Sequence, residues 1–540
     1  MDLFLSALDI LMRWDVALAL LAGSVGGVLI GAIPGVGPAV AIAILLPATF
    51  SMDPIVGLTV LLGIYGSSMY GGSIPAILIN TPGTAVNALT TYDGYPMTAR
   101  GEPRRALSLA YSSSFFGGIF SVICLILFAP VLARIAPMFG SREIFLAALL
   151  GIILVVVAHR GQALMAGALA AFGIFLQTIG MEPVKYSQRY TFDQPFLQGG
   201  INLIVVVLGL FALSQAFVLL TTEDEKIRTT RLAGGNLFQG LRELARHPRV
   251  ASVSAGFGVI MGMIPGVGEF TAQFMSYTYA QRTSKRPEDF GRGSSEGLIA
   301  AETANNAVPA AAMVPLLALG IPGEALTAMM LSVFYVHNVV PGPGLFQNDM
   351  DFVVALYIAL LILNVLVLVF LLVATRSLIQ VVRIPNRFLG VCILTLSFVG
   401  VYSLRNSATD CVMAAVFGVL GYLLKRLSLP AVPIILGMVL GGIMEVKLRA
   451  GMARVKTPLD MIDRPVSFIL FLIIVLVLGI HIRRLWLDRH DLKEAEWQSK
   501  HRSTSFGRLL LRRKSSFLME RGKLHRARRL TWYRRLMDLF

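Results

Sequence analysis

The sequence predicts an all-α, polytopic integral membrane protein, and three features do so. Of its 540 residues 56% are hydrophobic and only 14% charged, whereas about a quarter of the residues of water-soluble domains carry charge. Apolar stretches long enough to cross about 30 Å of hydrocarbon recur along the whole chain, among them Gly200 to Leu220, Phe352 to Ala374 and Val466 to His481, for roughly ten to twelve transmembrane helices. The third feature is an internal repeat. Gly31-Ala32-Ile33-Pro34-Gly35-Val36-Gly37 returns as Gly262-Met263-Ile264-Pro265-Gly266-Val267-Gly268, displaced by 231 residues, and Pro75 with Pro82-Gly83 returns as Pro315 with Pro322-Gly323, displaced by 240. Two landmarks in one order mark a duplicated unit.

Taken along the chain, Asp2 and Asp9 stand where a cleavable signal would carry Lys or Arg, so the first apolar segment is expected to be retained. Residues 1–220 are then membrane repeat one with its following spans, 221–250 a cytoplasmic linker, 251–380 the core of repeat two, 381–482 the C-terminal spans, and 483–540 a basic cytoplasmic tail. The nine extra residues of the second copy fall between its landmarks, in the stretch Arg282 to Arg292. In copy one the loop between the landmarks is acidic, at Asp53, and the loop after them basic, at Arg100, Arg104 and Arg105. Copy two reverses this, with Arg282, Lys285, Arg286 and Arg292 first and Asp349 and Asp351 later. Because Lys and Arg collect on cytoplasmic loops, equivalent loops of opposite charge predict two inverted repeats. About four crossings between Arg105 and the linker Lys226 to Arg249 agree, and Arg383, Lys425 and Arg426 fall on the cytoplasmic side. The loop with Lys447, Arg449, Arg454 and Lys456 does not. Either a segment near Leu429 to Met444 is re-entrant or the charge rule fails there.

A proline flanked by glycines inside a span frees backbone groups that must face protein, water or a ligand. Such broken or re-entrant helices offer amides to an anion and carbonyls to a cation. The expected substrate-binding residues are therefore Pro34, Gly35, Gly37, Pro82, Gly83, Pro265, Gly266, Gly268, Pro322 and Gly323. Neutral polar residues crowd the same regions, and Ser67, Ser68, Ser73, Asn80, Thr81, Asn305 and Asn306 are expected to bind substrate with them, beside Thr84, Asn87 and Thr303. Packing of small residues between helices is the competing explanation for any single serine. Asn80, Thr81, Glu269, Glu302 and Glu324 are the expected cation-coupling groups, for Na+ or H+; helix capping is the competing role for the glutamates. His159 reads as a loop residue, His337 as a span end, and Arg405 with Asp410 as a neutralising pair across a turn.

The formal charge of +16 is concentrated near the end: Arg483 to Phe540 holds 17 Lys and Arg against 6 Asp and Glu. A solvated tail near anionic lipid headgroups accounts for it better than nucleic-acid binding. Cys124, Cys392 and Cys411 form no CxxC pair, which speaks against a disulfide framework or a metal site. With seven scattered histidines and no nucleophile beside a base, no catalytic signature and no cofactor are expected. A channel would need rings of like charge, and none is evident.

The stretches GAIPGVGPAVAIAILLP from Gly31, YGGSIPAILINTPGTA from Tyr70, DGYPMTARGEPRRAL from Asp93, GMIPGVGE from Gly262, ETANNA from Glu302 and GIPGEALTA from Gly320 resemble the large membrane subunit of bacterial tripartite tricarboxylate transporters, over approximately residues 1 to 490. The resemblance implies a secondary, ion-coupled importer in the bacterial inner membrane, working with a small membrane subunit and a periplasmic solute-binding protein. Its implied substrates are citrate and other carboxylates. The family's motif regions fall on Gly31 to Pro38, Tyr70 to Thr84 and Glu302 to Glu324. The basic stretch after about Trp497 departs from the family pattern.

Overall fold

In hydrocarbon every backbone amide and carbonyl needs a partner inside its own segment, which leaves the helix as the economical element for an apolar chain of this kind. A computed structural model describes residues 2–159, 161–182, 186–222, 239–381, 384–453, 455 and 457–501. Arg160, Lys226, Arg383, Arg454, Lys456, most of the linker and the tail beyond residue 501 lie outside them. Residues 1–471 form one compact unit and 472–540 a second.

Helix α1 (Asp2–Met12) precedes α2 (Trp14–Gly31), which ends at the Pro34-Gly35 break, and α3 (Gly37–Thr49) follows. Asp53 caps α4 (Pro54–Ile79) by accepting from the Ile55 amide at 3.2 Å. After the Pro82-Gly83 turn come α5 (Thr90–Ala99), α6 (Pro103–Ile135), α7 (Ser141–Ala158) and α8 (Ala163–Thr178). A two-stranded hairpin pairs Gly180 with Arg189 and Met181 with Gln188. The short α9 (Pro195–Gln198) leads into a span made of α10 (Leu203–Val207), a π-helical turn (Leu208–Leu213) and α11 (Ser214–Thr221).

The second half repeats the plan. After α12 (Gln239–Leu244), α13 (Pro248–Met263) stops at Pro265-Gly266 and α14 (Gly268–Thr283) follows; α15 (Ser295–Asn306) and α16 (Val308–Leu319) together occupy the place of α4. Beyond Pro322-Gly323 lie α17 (Ala325–Val336), α18 (Pro343–Asn348), α19 (Met350–Val381), α20 (Asn386–Arg405), α21 (Ala408–Arg426), α22 (Val432–Met452) and α23 (Pro465–His501).

The two broken segments are hairpins that enter from opposite faces. Arg13, just before α2, reaches Asp53, just before α4, at 3.3 Å, and α3 ends four residues earlier, at Thr49. Both ends of the α2–α3 hairpin thus lie at the start of α4. At the other end of α4, Gly94 of α5 abuts Ile77, and Asp93 beside it accepts from the amides of Gly291, Gly293 and Ser294 at 2.7–2.9 Å, next to the start of α15. His247, just before α13, pairs with Glu296 at 3.3 Å, so both ends of the α13–α14 hairpin lie there. The inverted arrangement expected from the loop charges is present in the packing.

Among the described residues nine helices are long and apolar enough to cross a membrane. One of them, α2, turns back as a hairpin arm, and the shorter apolar helices include α3, α8 and α17. Glycine allows the closest packing: α2 and α4 run side by side with Gly23, Gly27 and Gly31 against Val60, Ile64 and Ser68. The repeats also exchange partners. Helix α22 lies against α7 and α8, the α10–α11 span lies against α20 and α21, α6 packs on α13, α15 and α16, and α19 packs on α2 and α4.

The loop that departs from the charge rule holds one ion-paired cation among its described residues, Arg449. Val432–Met452 is one continuous helix, not a re-entrant one. Arg449 at its end is ion-paired with Glu182 and, at 2.9 Å, with Glu445; Arg189 meets Glu445 at 2.6 Å, Arg142 meets Asp463 at 2.6 Å, and Arg405 meets Asp410 at 3.4 Å. On the opposite face Arg105 joins α6 to α12 through Glu243 at 2.5 Å. Burial alone would raise the Glu243 carboxyl, but hydrogen bonds from Arg105 and Ser295 hold it below the usual carboxylate range.

Candidate functional site

Each hairpin tip is tied to the second landmark of its own repeat by the same hydrogen bond. The Gly35 amide donates to the Gly83 carbonyl at 3.0 Å, and the Gly266 amide donates to the Gly323 carbonyl at 2.6 Å. Glycine is required at the tips because Gly35 and Gly266 both have φ +80°, with Gly37 at +58° and Gly268 at +65°. The residue two before each second-landmark proline is left-handed too, Asn80 at φ 58° and Gly320 at 69°, ending α4 and α16. The Pro-Gly pairs chosen from sequence as binding elements therefore meet in space, four prolines and four glycines in two equivalent clusters. The Gly35 and Gly266 amides are committed to this contact, and those of Val36 and Val267 bond Ile33 and Ile264. First-turn amides of α3 and α14, opened by Gly37 and Gly268, have no partner within their helices.

Beyond tip one lies a buried polar chain that crosses from repeat one to repeat two. Thr84 donates to Asn87 Oδ1 at 2.5 Å, and Asn87 Nδ2 donates to Ser73 Oγ at 3.3 Å and to the Met69 backbone carbonyl at 3.2 Å. Ser73 and Ser114 each donate to Glu302 Oε2 at 2.8 Å, and Thr90 donates to Oε1 at 2.5 Å. Asn306 Nδ2 completes the chain to Ser114 Oγ at 2.8 Å. Glu302 is fully buried, yet three hydroxyls from α4, α5 and α6 surround its carboxylate. Thr303, its neighbour, donates to the Ser113 carbonyl at 3.2 Å.

Tip two is different in charge. Where repeat one has Gly37-Pro38 and Gly83-Thr84, repeat two has Gly268-Glu269 and Gly323-Glu324. Both carboxylates are buried. Tyr65 of α4 donates to Glu269 Oε1 at 3.3 Å, and Glu324 Oε2 lies 3.9 Å from where a side chain on Gly268 would begin. Glu324 also opens α17 in a reciprocal cap with Thr327. Its Oε1, both amide atoms of Gln273, both of Asn305 and Oδ1 of Asn306 are buried without a protein partner among the described residues. Buried polar atoms left in this state mark a place where water or a bound ligand belongs. Tip one has its own cation nearby: Lys425 donates to Gln215 Oε1 at 2.6 Å, and Gln215 Nε2 reaches to 3.2 Å of where a side chain on Gly35 would begin.

Ser67 and Ser68 belong to the α2–α4 seam, donating to the Gly23 and Tyr65 carbonyls at 3.3 and 3.0 Å. Thr81 is exposed and bonds back to the Ile79 carbonyl at 3.4 Å. Tyr65, Thr90, Ser114, Gln215 and Gln273 escaped the sequence reading, and Lys425 was read there only as a charge on the cytoplasmic side. Gln273 had a local signal, one helical turn after Glu269; the others pair across 188 or more positions. Among the described residues no group of three His, Cys, Asp or Glu is placed to hold a metal ion.

Comparison with known proteins follows the same map. An uncharacterized 52.8 kDa protein in the TAR-I ttuC′ 3′ region of Agrobacterium vitis is 35% identical over 427 residues, covering 79% of this chain and 85% of that protein. An uncharacterized protein in the TAR-II ttuC′ 3′ region of the same organism is 33% identical over 195 residues, covering 36% of this chain and 81% of that one. No solved structure matches. The family model described as the tripartite tricarboxylate transporter TctA family matches residues 17–436, a stretch containing both hairpins, both second landmarks and the buried polar chain. The protein thus belongs to the TctA family of tripartite tricarboxylate transporters.

Proposed function

We propose that this chain is the large membrane subunit of a secondary, ion-coupled importer of tricarboxylates or related organic acids, fed by a periplasmic solute-binding protein and working with a small membrane subunit. It carries solute and makes no covalent bonds. The observation behind this is the pair of hairpins that enter from opposite faces and differ in charge at their tips. A neutral tip one, with first-turn amides of α3, Gln215 and Lys425 near it, suits a carboxylate anion. An acidic tip two, with Glu269, Glu324, Gln273 and Asn305, suits Na+ or H+. Asn80 and Thr81, at the carbonyl end of α4, offer oxygens of the same kind. Glu302 links the halves, so that a cation or proton bound in repeat two is felt by the Ser73–Asn87–Thr84 chain at tip one. Alternating access would follow from movement of one exchanged bundle against the other. In this reading the face with Arg105 and the α13–α14 ends is cytoplasmic, as is the basic tail, and the membrane is the bacterial inner membrane.

The test is uptake of labelled citrate and a panel of other carboxylates into cells making this protein with its neighbouring subunits. Uptake is expected to require the periplasmic protein and to collapse when the sodium or proton gradient is dissipated. Pro265→Ala with Gly266→Ala is expected to abolish it while leaving the protein in the membrane. Robust uptake or current without partners would replace the importer with an autonomous carrier or channel.

A further inference from the structure

Lys447 lies in the loop that departs from the charge rule, and it differs from its neighbour Arg449, which is ion-paired. Among the described residues it has no ion-pair or hydrogen-bond partner, although Arg449 two positions on takes both Glu182 and Glu445. It lines a cavity of about 410 Å³ between α17, α22, α8 and the start of α10, a volume within the range of small-molecule sites. Ala328, Leu331, Ser332 and Tyr335 face this cavity, and their spacing of i, i+3, i+4 and i+7 is one side of α17. From α22 come Met438, Val439, Gly442, Ile443, Val446 and Lys447. Gly442 is also where Gln177 of α8 packs, so the polar lining beside Lys447 is Gln177, Ser332 and Tyr335.

The position of the cavity gives it a direction. Helix α17 starts at Glu324 of tip two and ends near the close of α3, where His337 Nε2 and the Thr49 carbonyl are 3.1 Å apart. The cavity runs along most of that helix, from about 6 to about 16 Å from tip two along its axis, toward the face where α2 and α4 begin. We propose that this is an entry site for the transported acid, in which Lys447 holds a carboxylate before the solute passes along α17 to the tips. The inference rests on the transport reading above. A lysine suits the role, since its flexible ammonium acts as a mobile point charge and binds without the fixed fork that keeps arginine in place. The apolar walls strengthen the attraction by excluding water. A lipid phosphate is an anion of the same charge type, and the experiment separates the two.

Two measurements test the proposal. In a variant with Cys124, Cys392 and Cys411 replaced and Ser332→Cys added, reconstituted in phosphatidylcholine vesicles, an anionic methanethiosulfonate is expected to label the thiol roughly ten times faster than its cationic analogue. Citrate is expected to slow that labelling. Lys447→Met should remove both the bias and the protection. In uptake, Lys447→Met is expected to raise KM roughly ten-fold or more while leaving the maximal rate within about two-fold, with Lys447→Arg recovering part of the loss. Equal labelling by both reagents, or an unchanged KM, overturns the entry site, and so does protection by phosphatidylglycerol without protection by citrate. Absence of carboxylate uptake in the wild-type complex would instead fail the transport reading, and would leave the labelling result standing by itself.

Discussion

At Gly23 the backbones of α2 and α4 come so close that a methyl group would stand 2.7 Å from the Val60 carbonyl oxygen, while at Gly26, one turn on, nothing lies within 4 Å. Overpacking of this kind costs about 1–3 kcal/mol. Gly23→Ala is expected to lower the melting temperature of the purified protein, and Gly26→Ala to leave it unchanged or raise it. A fall of the same size in both would mean that the seam is looser than the contacts indicate. The seam also shows what single residues conceal in sequence. Ser67, Ser68 and Ser73 look alike within one glycine-rich stretch. Only Ser73 joins the carboxylate network, because a period of 3.6 puts the other two against α2 or back onto their own helix. Glu302 was legible as a costly charge in an apolar run, but its hydroxyl partners stand 188 to 229 positions away, and no local pattern announces such a pairing.

The left-handed ends of α4 and α16 are a matter of elements. One repeat uses Asn80 and the other Gly320, the two residue types that tolerate φ near +60°. The exchange should be tolerated in one direction only, because Gly320 also packs against the Pro341 carbonyl. Asn80→Gly is expected to leave thermal stability nearly unchanged, whereas Gly320→Asn should lower it because a side chain there would begin 2.9 Å from the Pro341 carbonyl oxygen, and Gly320→Val adds about 1–2 kcal/mol of backbone strain to that clash and should lower both stability and uptake. Equal tolerance of Val would show that this turn is free to rearrange. The breaks themselves were plain in the sequence, since Pro between glycines has few other meanings inside an apolar run. Re-entrance was less plain. Hydropathy gives the arm of a hairpin and a true span the same signature, and only the Arg13–Asp53 and His247–Glu296 contacts, each between distant positions, show that the chain turns back.

Across the whole molecule the repeats are interlocked, with α7 and α8 closed by α22 and α20 and α21 closed by the α10–α11 span. Neither half contains its own completed bundle. Residues 1–222 or 239–540 made alone are expected to be degraded, and the two made together to assemble and recover uptake. Stable accumulation of either half by itself would argue against the interlock. Loop charge foretold the inversion but carries no information about which helix closes against which, so the exchange was invisible until the packing was seen. It also sets a timetable. Helix α8 leaves the ribosome about 250 residues before α22 begins, an interval of roughly ten to fifty seconds at about 5–20 residues per second. Throughout that wait Gly173, whose native neighbour is the Ile434 carbonyl, faces lipid or whatever helps nascent membrane helices, so the stage most exposed to proteolysis falls midway through translation.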